Sequence, residues 1–176
     1  MIRLATMNDL PCLREVFATA QQFMVDTGNP HQWPVGHPSD RLLITDISAG
    51  HLYVEEIDGI VHAAFAFILG EDPTYAYIED GAWLTNTPYG TIHRLASDGT
   101  NPGFFGRCID FCHRKISHLR VDTHHDNRVM QHLAETHGYT FVHPYNDYDV
   151  IYGQGTIALE ILNDLEDVDV ILAPVG

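Results

Sequence analysis

Lysine is almost missing from this sequence: Lys115 is the only one among 9 basic residues, against 24 acidic ones, and the formal charge is −15. A phosphate backbone or an anionic membrane surface would be repelled over most of such a protein, which argues against nucleic acid and membranes as partners. A local anion site survives that argument, because backbone N–H groups and a few arginines act at short range, where net charge is screened. Cysteine is sparse too. Cys12, Cys108 and Cys112 are odd in number and form no CxxC, which excludes a disulfide framework and leaves reduced core thiols of a cytosolic protein. No apolar run is long enough to span a bilayer, and the opening MIRLATMNDL has no apolar leader core, so a soluble cytoplasmic protein is expected.

What is present is globular composition, 45% hydrophobic and 19% charged over 176 residues, enough for one core of normal size. A short strand is expected over Ile2 to Ala5, followed by Thr6 and Asp9 at helix-capping spacing. Leu10, Leu13, Phe17, Ala20 and Met24 then mark one face of an amphipathic helix. Gly28, Asn29, Pro30 and Pro34 make a loop around Trp33, and Ser39 opens a second helix that ends at Gly50. Two β-rich runs, His51 to Ile57 and Ile60 to Leu69, flank Asp58-Gly59, a two-residue hairpin signal. Further strands are expected at Tyr75 to Ile78, Thr91 to Ala96 and Leu119 to Asp122, with helices after the loop SDGTNPGFFG and over Asn127 to Thr136. The order β, α, α, β, β, β, β, loop, α, β, α predicts an α/β fold: a mixed, mostly antiparallel sheet with helices on both faces.

That order is joined by a set of stretches: IRLATMNDLP, GNPHQW, HLYVEEIDGIVHAAFAFILGEDPTY, YGTIHRLASDG and HLRVDTHHDNRVMQHLAETHGY. Together they resemble one bacterial branch of the GNAT N-acetyltransferases, over residues 1 to 139. The resemblance implies an acetyl-CoA co-substrate, with the pantetheine arm beside Leu95 and Ala96 and near Asn127. It also implies a pyrophosphate at the loop from Gly103 to Gly106, where Phe104 and Phe105 would offer backbone donors. A helix N-terminus preceded by glycine suits that role physically, although an ordinary strand-to-helix loop has the same features. The local sequence equally supports Asn127 as a helix N-cap, and the two roles are compatible.

Transfer to an amine needs a base and a proton for the departing thiolate. Many members of the family carry a tyrosine acid seven residues after the asparagine, and Ala134 stands there. His93 and Glu79 are the candidate bases, with structural or substrate-contact roles as the alternative, and Trp33, Trp83 and Tyr89 are candidate walls of an acceptor pocket or else core aromatics. His124, His125 and His132 lack the spacing of a metal set, so no metal is expected.

After Tyr139 the composition changes: all 9 basic residues precede it, and residues 140 to 176 hold seven acids and no Lys or Arg. This segment, with GQGTIALEIL, resembles PLP-dependent threonine dehydratases just before their glycine-rich phosphate loop. Its own pattern is a βαβ-like piece, strand Thr140 to His143, helix Gln154 to Asn163 and strand Val168 to Ala173, which stands in place of the closing strands of a GNAT domain. PLP chemistry needs a Schiff-base lysine and a run of glycines; here the only lysine is Lys115, so no PLP is expected. The chain reads as a chimera, a GNAT-like domain over 1–139 with a dependent tail over 140–176. Val168 to Ala173 is expected to be buried in the sheet; uncovered, it would drive chains to associate. The expected activity is acetyl transfer to a primary amine of a small molecule or protein, with a catalytically impaired coenzyme A-binding domain and a ligand-free interaction module as alternatives.

Overall fold

Side chains alternate between the faces of a strand, so an apolar run as continuous as Ile60–Leu69 needs cover on both sides. It has it. Val61, Ala64 and Ala66 lie in one buried cluster with Leu13, Val16, Phe17 and Ala20, while Ala63, Phe65 and Phe67 lie in another with Phe104, Phe105, Cys108, Ile109 and Cys112. Val61 shares a face with Ala64 because His62 is an extra residue in the ladder: Glu55 pairs with Ala63 and Glu56 with Val61.

The computed structural model describes residues 1–71, 87–124 and 126–139. Within them, strands β1 (Ile2–Leu4), β2 (Leu52–Ile57), β3 (Ile60–Leu69), β4 (Gly90–Ser97) and β5 (Leu119–Val121) form one sheet in the order β1-β2-β3-β4-β5. All neighbours are antiparallel except the last pair, β4 and β5. Helices α1 (Leu10–Asp26) and α2 (Asp40–Ala49) supply the first cluster; α3 (Phe104–His113) and α4 (Arg128–Thr136) border the second, and α3 is the crossover that a parallel pair requires. The expected mixed sheet with helices on both faces is therefore present. The expected strand over Tyr75 to Ile78 and the whole tail from 140 lie outside the described residues, and β3 pairs directly with β4.

Local signals act as their chemistry dictates. Asp58 and Gly59 both adopt positive φ, 51° and 80°, the pair of left-handed residues that matches hairpin twist. Ser39 caps α2 by accepting the Leu42 N–H, and Gly50 ends that helix in the left-handed region. Before α1 comes one short 3-10 turn, Met7–Asp9, where the Asp9 carboxylate accepts the Thr6 N–H at 2.7 Å and two guanidinium bonds from Arg3 at 2.8 Å each. Arg3 also donates to Glu56 at 2.7 Å, so one arginine joins β1, β2 and the start of α1.

Those bonds, Arg3 foremost, pull the Asp9 carboxyl from its ordinary 3.8 down to about 2. The depressed value means the stabilisation is complete above pH 4 and is lost as the pH falls toward 2. Asp9→Asn is therefore expected to cost about 2 kcal/mol at pH 6 and to flatten the acid limb of the stability curve, measured by urea unfolding at a series of pH values.

Candidate active site between two parting strands

The parallel pair β4 and β5 is joined over three residues only, Gly90↔Leu119, Thr91↔Arg120 and Ile92↔Val121. β4 then continues to Ser97 without β5 beside it. Its departure has a local cause: Ala66 pairs with His93 but Ala64 with Ala96, so β4 carries one residue too many, and Arg94 within that step has φ 52°. A non-glycine residue there is strained by about 1 kcal/mol or more and needs holding. Arg94 is held by buried Asp46 of α2, Nη2 to Oδ2 at 2.8 Å.

Where the strands part, a cavity of about 450 Å³ opens. His93 and Asp122, the first residues past the pairing, face each other with Nδ1 3.6 Å from Oδ1. Residues 92–95 form one wall and 121–124 the other, with Asn127 and Met130 from the start of α4 and Gln32, Trp33 and His37 from the loop between α1 and α2. Buried Arg94 Nε and Thr123 Oγ1, both on lining residues, have no hydrogen-bond partner among the described residues.

Asn127 fills both of its polar ends. Its Oδ1 accepts the Met130 N–H at 3.0 Å, the N-cap role, while its Nδ2 donates to Gln32 Oε1 at 2.8 Å and so ties the α1–α2 loop to α4. Gln21 steadies the same loop by donating to the carbonyls of Trp33 and Pro34, at 3.2 and 2.8 Å. His37 packs its ring on Trp33, centroids 5.6 Å apart. Burial, then the Arg94 charge, push the His37 imidazole below its ordinary value of 6.5.

The loop into α3 is shaped from behind by Glu55, a carboxylate 3% exposed. It accepts Arg107 Nε at 2.6 Å, Arg107 Nη2 at 2.8 Å and Asn101 Nδ2 at 3.0 Å, and Arg107 donates onward to the Pro102 carbonyl at 2.7 Å. A trans peptide points its C=O and N–H in opposite directions, so drawing the Pro102 carbonyl onto Arg107 turns the Gly103 N–H away from it. Gly103 is exposed, has φ 80° and precedes the first turn of α3, whose N–H groups have no partner inside the helix. Phe104 and Phe105 bury their side chains, leaving their backbone as the part a ligand could meet. Gly106 has a packing reason as well: a Cβ there would lie 2.9 Å from His137 Nε2.

Of the residues singled out from sequence, the structure gathers His93, Leu95, Asn127 and Trp33 around the cavity. Ala96 is buried in the first core cluster, and residues 103–106 are not among the lining residues. Tyr89 is buried under the Arg120 guanidinium, 3.6 Å from its ring centroid, and does not line this cavity. Glu79, Trp83 and His125 lie outside the described residues. Ala134 is buried. No three metal-binding side chains come together among the described residues, and no described helix is long and apolar enough to cross a membrane. Sequence reading passed over His37, Arg94 and Glu55. Only a His-Pro pair marked the first, and nothing local marked a bulge or a carboxylate facing a distant arginine.

Known proteins divide along the chain. An acetyltransferase of the GNAT family from Streptococcus agalactiae 2603 shares 29% identity and superposes with a TM-score of 0.65, covering 83% of this chain and 89% of its own. AAC(6')-Iy in complex with a bisubstrate analogue, CoA-S-monomethyl-acetylneamine, superposes at 0.57 with 18% identity, over 84% of this chain and 95% of its own. The family model for pyridoxal-phosphate dependent enzymes matches residues 109–176. L-threonine ammonia-lyase from Thermotoga maritima is 59% identical over 44 residues, 25% of this chain, and the chain spans 11% of that relative's length.

The Glu55 cluster makes its own test. Arg107 first, and Asn101 after it, hold the Glu55 carboxyl below its ordinary value, so its contribution is present at neutral pH and fades as the pH falls through the acid range. Glu55→Gln is expected to cost about 1–2 kcal/mol at pH 7 in urea unfolding, and the difference from wild type should close toward pH 3.

Proposed function

We propose, for a chain that joins the fold of GNAT acetyltransferases to a segment similar to threonine dehydratases, that residues 1–139 transfer an acetyl group from acetyl-CoA to a primary amine. The observation that carries this reading is the parting of β4 from β5 after Ile92 and Val121, which leaves a strand edge beside a cavity of about 450 Å³. The unpaired edge around Leu95 would receive the pantetheine arm as an added strand, since its backbone groups have no β5 partner there. The diphosphate would lie against the Gly103 N–H and the first turn of α3, where aligned peptide dipoles favour an anion. The thioester then reaches the parting point, beside His93. An amine nitrogen attacks its carbonyl carbon, the C–N bond forms, and the C–S bond breaks as the thiolate takes a proton.

A second reading, coenzyme A binding without turnover, is favoured by Ala134. It is a buried methyl where the family resemblance places a tyrosine acid.

The tail, residues 140–176, adds no PLP chemistry in this proposal. The lysine it would need is Lys115, whose Nζ sits over the rings of Phe111 and Tyr53 at 5.0 and 5.6 Å from their centroids. A cation engaged by two aromatic faces is not poised as a free amine for an aldehyde.

Coenzyme A at a hundredfold excess over its Kd is expected to stabilise the protein by about 2.7 kcal/mol, read as a rise in Tm. Gly103→Val should abolish that rise, because φ 80° is strained for valine and its Cβ would lie 3.2 Å from Arg107 Nη1. An unshifted Tm at millimolar coenzyme A would overturn both readings. With PLP, no stable visible absorbance is expected; a band that disappears in Lys115→Ala would restore the lyase.

A further inference from the structure

Resting on acetyl transfer as the reaction at this cavity, we infer that His37 takes the proton of the incoming acceptor, a small primary amine that arrives as its ammonium ion. Three histidines line the cavity, and their surroundings differ. His93 has Asp122 at 3.6 Å and His124 has Asp126 at 3.5 Å. His37 pairs with no acidic side chain among the described residues; its ring packs on Trp33, and Arg94 of β4, which lines the same cavity, acts on it through its charge. Behind that guanidinium stands Asp46 of α2, 2.8 Å from it. The cavity walls also contribute His93, beside Arg94 on β4, and Asp122 and His124 from the segment after β5. Burial and Arg94 both disfavour a second proton on His37, so its imidazole is neutral at pH 7 with a lone pair to offer.

The remaining surroundings suit a cation. Asp122 is 70% exposed at the parting point, Trp33 presents an aromatic ring, and a net charge of −15 steers ammonium ions toward the protein. The loop that carries the ring is anchored. The His37 backbone N–H donates to the Pro34 carbonyl at 3.0 Å, Gln21 holds that same carbonyl, and Gln32 ties the loop to Asn127. A base must be held to serve within hydrogen-bond reach of its proton.

The step balances. An ammonium N–H proton passes to the imidazole, and the freed lone pair attacks the thioester carbon. As the C–S bond breaks, the thiolate takes a second proton from the nitrogen. His37 then returns its proton to solvent, so each turnover releases one proton with the amide and coenzyme A.

The test follows acetyl-CoA consumption with benzylamine, ethanolamine and spermidine, in wild type, His37→Gln and His37→Asn, from pH 6 to 9.5. Both variants should keep the coenzyme A-induced rise in Tm and the KM for acetyl-CoA, and lose about 100-fold in kcat at pH 7. Wild-type kcat/KM should level off above the His37 titration, whereas the variants should keep climbing about tenfold per pH unit toward the amine's own pKa, since only amine neutral in solution then reacts. Variants with wild-type rates, or a loss equal at every pH, would overturn the role of His37. A wild type that binds coenzyme A yet acetylates none of the three amines would overturn the acceptor class, while one that does not bind coenzyme A removes the acetyltransferase reading itself.

Discussion

One surplus residue in β4 governs the site. With Ala66 opposite His93 and Ala64 opposite Ala96, β4 bends as it passes Arg94, and β5 cannot stay in register beyond Val121. A cavity thus opens inside a sheet that is otherwise paired edge to edge. The strain of a left-handed arginine is offset by Asp46, which reaches up from α2 on the first core face. Arg94 is therefore both the bend and its fastening. Its guanidinium also lies near His37, so the charge that secures the bulge helps keep a neighbouring imidazole neutral. Fold geometry and site electrostatics come from the same side chain.

The second fastening is Glu55, on the opposite sheet face from Asp46. Two buried carboxylates, one per face, each hold an arginine at an irregular piece of backbone: the bulge in one case, the loop into α3 in the other. Neither pair needs to add much net stability, since removing ions from water consumes most of the Coulombic gain. Their value is in fixing backbone groups that have no strand or helix to orient them. The Pro102 carbonyl is turned inward by Arg107, and the peptide unit that carries it must then turn the Gly103 N–H outward.

Much of this architecture was legible in the sequence, because its signals are local and periodic. Leu13, Phe17 and Ala20 announced the buried face of α1, Asp58-Gly59 the hairpin, Ser39 and Gly50 the ends of α2, and Asn127 the cap of α4. What escaped depends on residues far apart in the chain. Glu55 meets Arg107 across 52 positions and Gln32 meets Asn127 across 95, and neither pairing leaves a periodic trace. The two bulges are invisible for a related reason: an extra residue shifts which side chains share a face without changing composition. For Tyr89 core packing was the default reading and a pocket wall the alternative, and its side chain is buried.

The two resemblances meet inside one packed unit and not at a clean boundary. The match to pyridoxal-phosphate dependent enzymes begins at residue 109, within α3, whereas the superposed acetyltransferase from Streptococcus agalactiae spans 83% of the chain. Ile109 and Cys112 of that overlap are core residues on the same sheet face as Phe65, so in this molecule they serve the acetyltransferase-like fold. Charge separates the parts more sharply. All 9 basic residues fall at or before position 139, and the arginines that organise the site, Arg94 and Arg107, are among them. A segment with seven acids and no Lys or Arg can supply neither an arginine for a phosphate nor a lysine for an aldehyde. The arginines and the lysine available to an anionic ligand therefore all belong to residues 1–139.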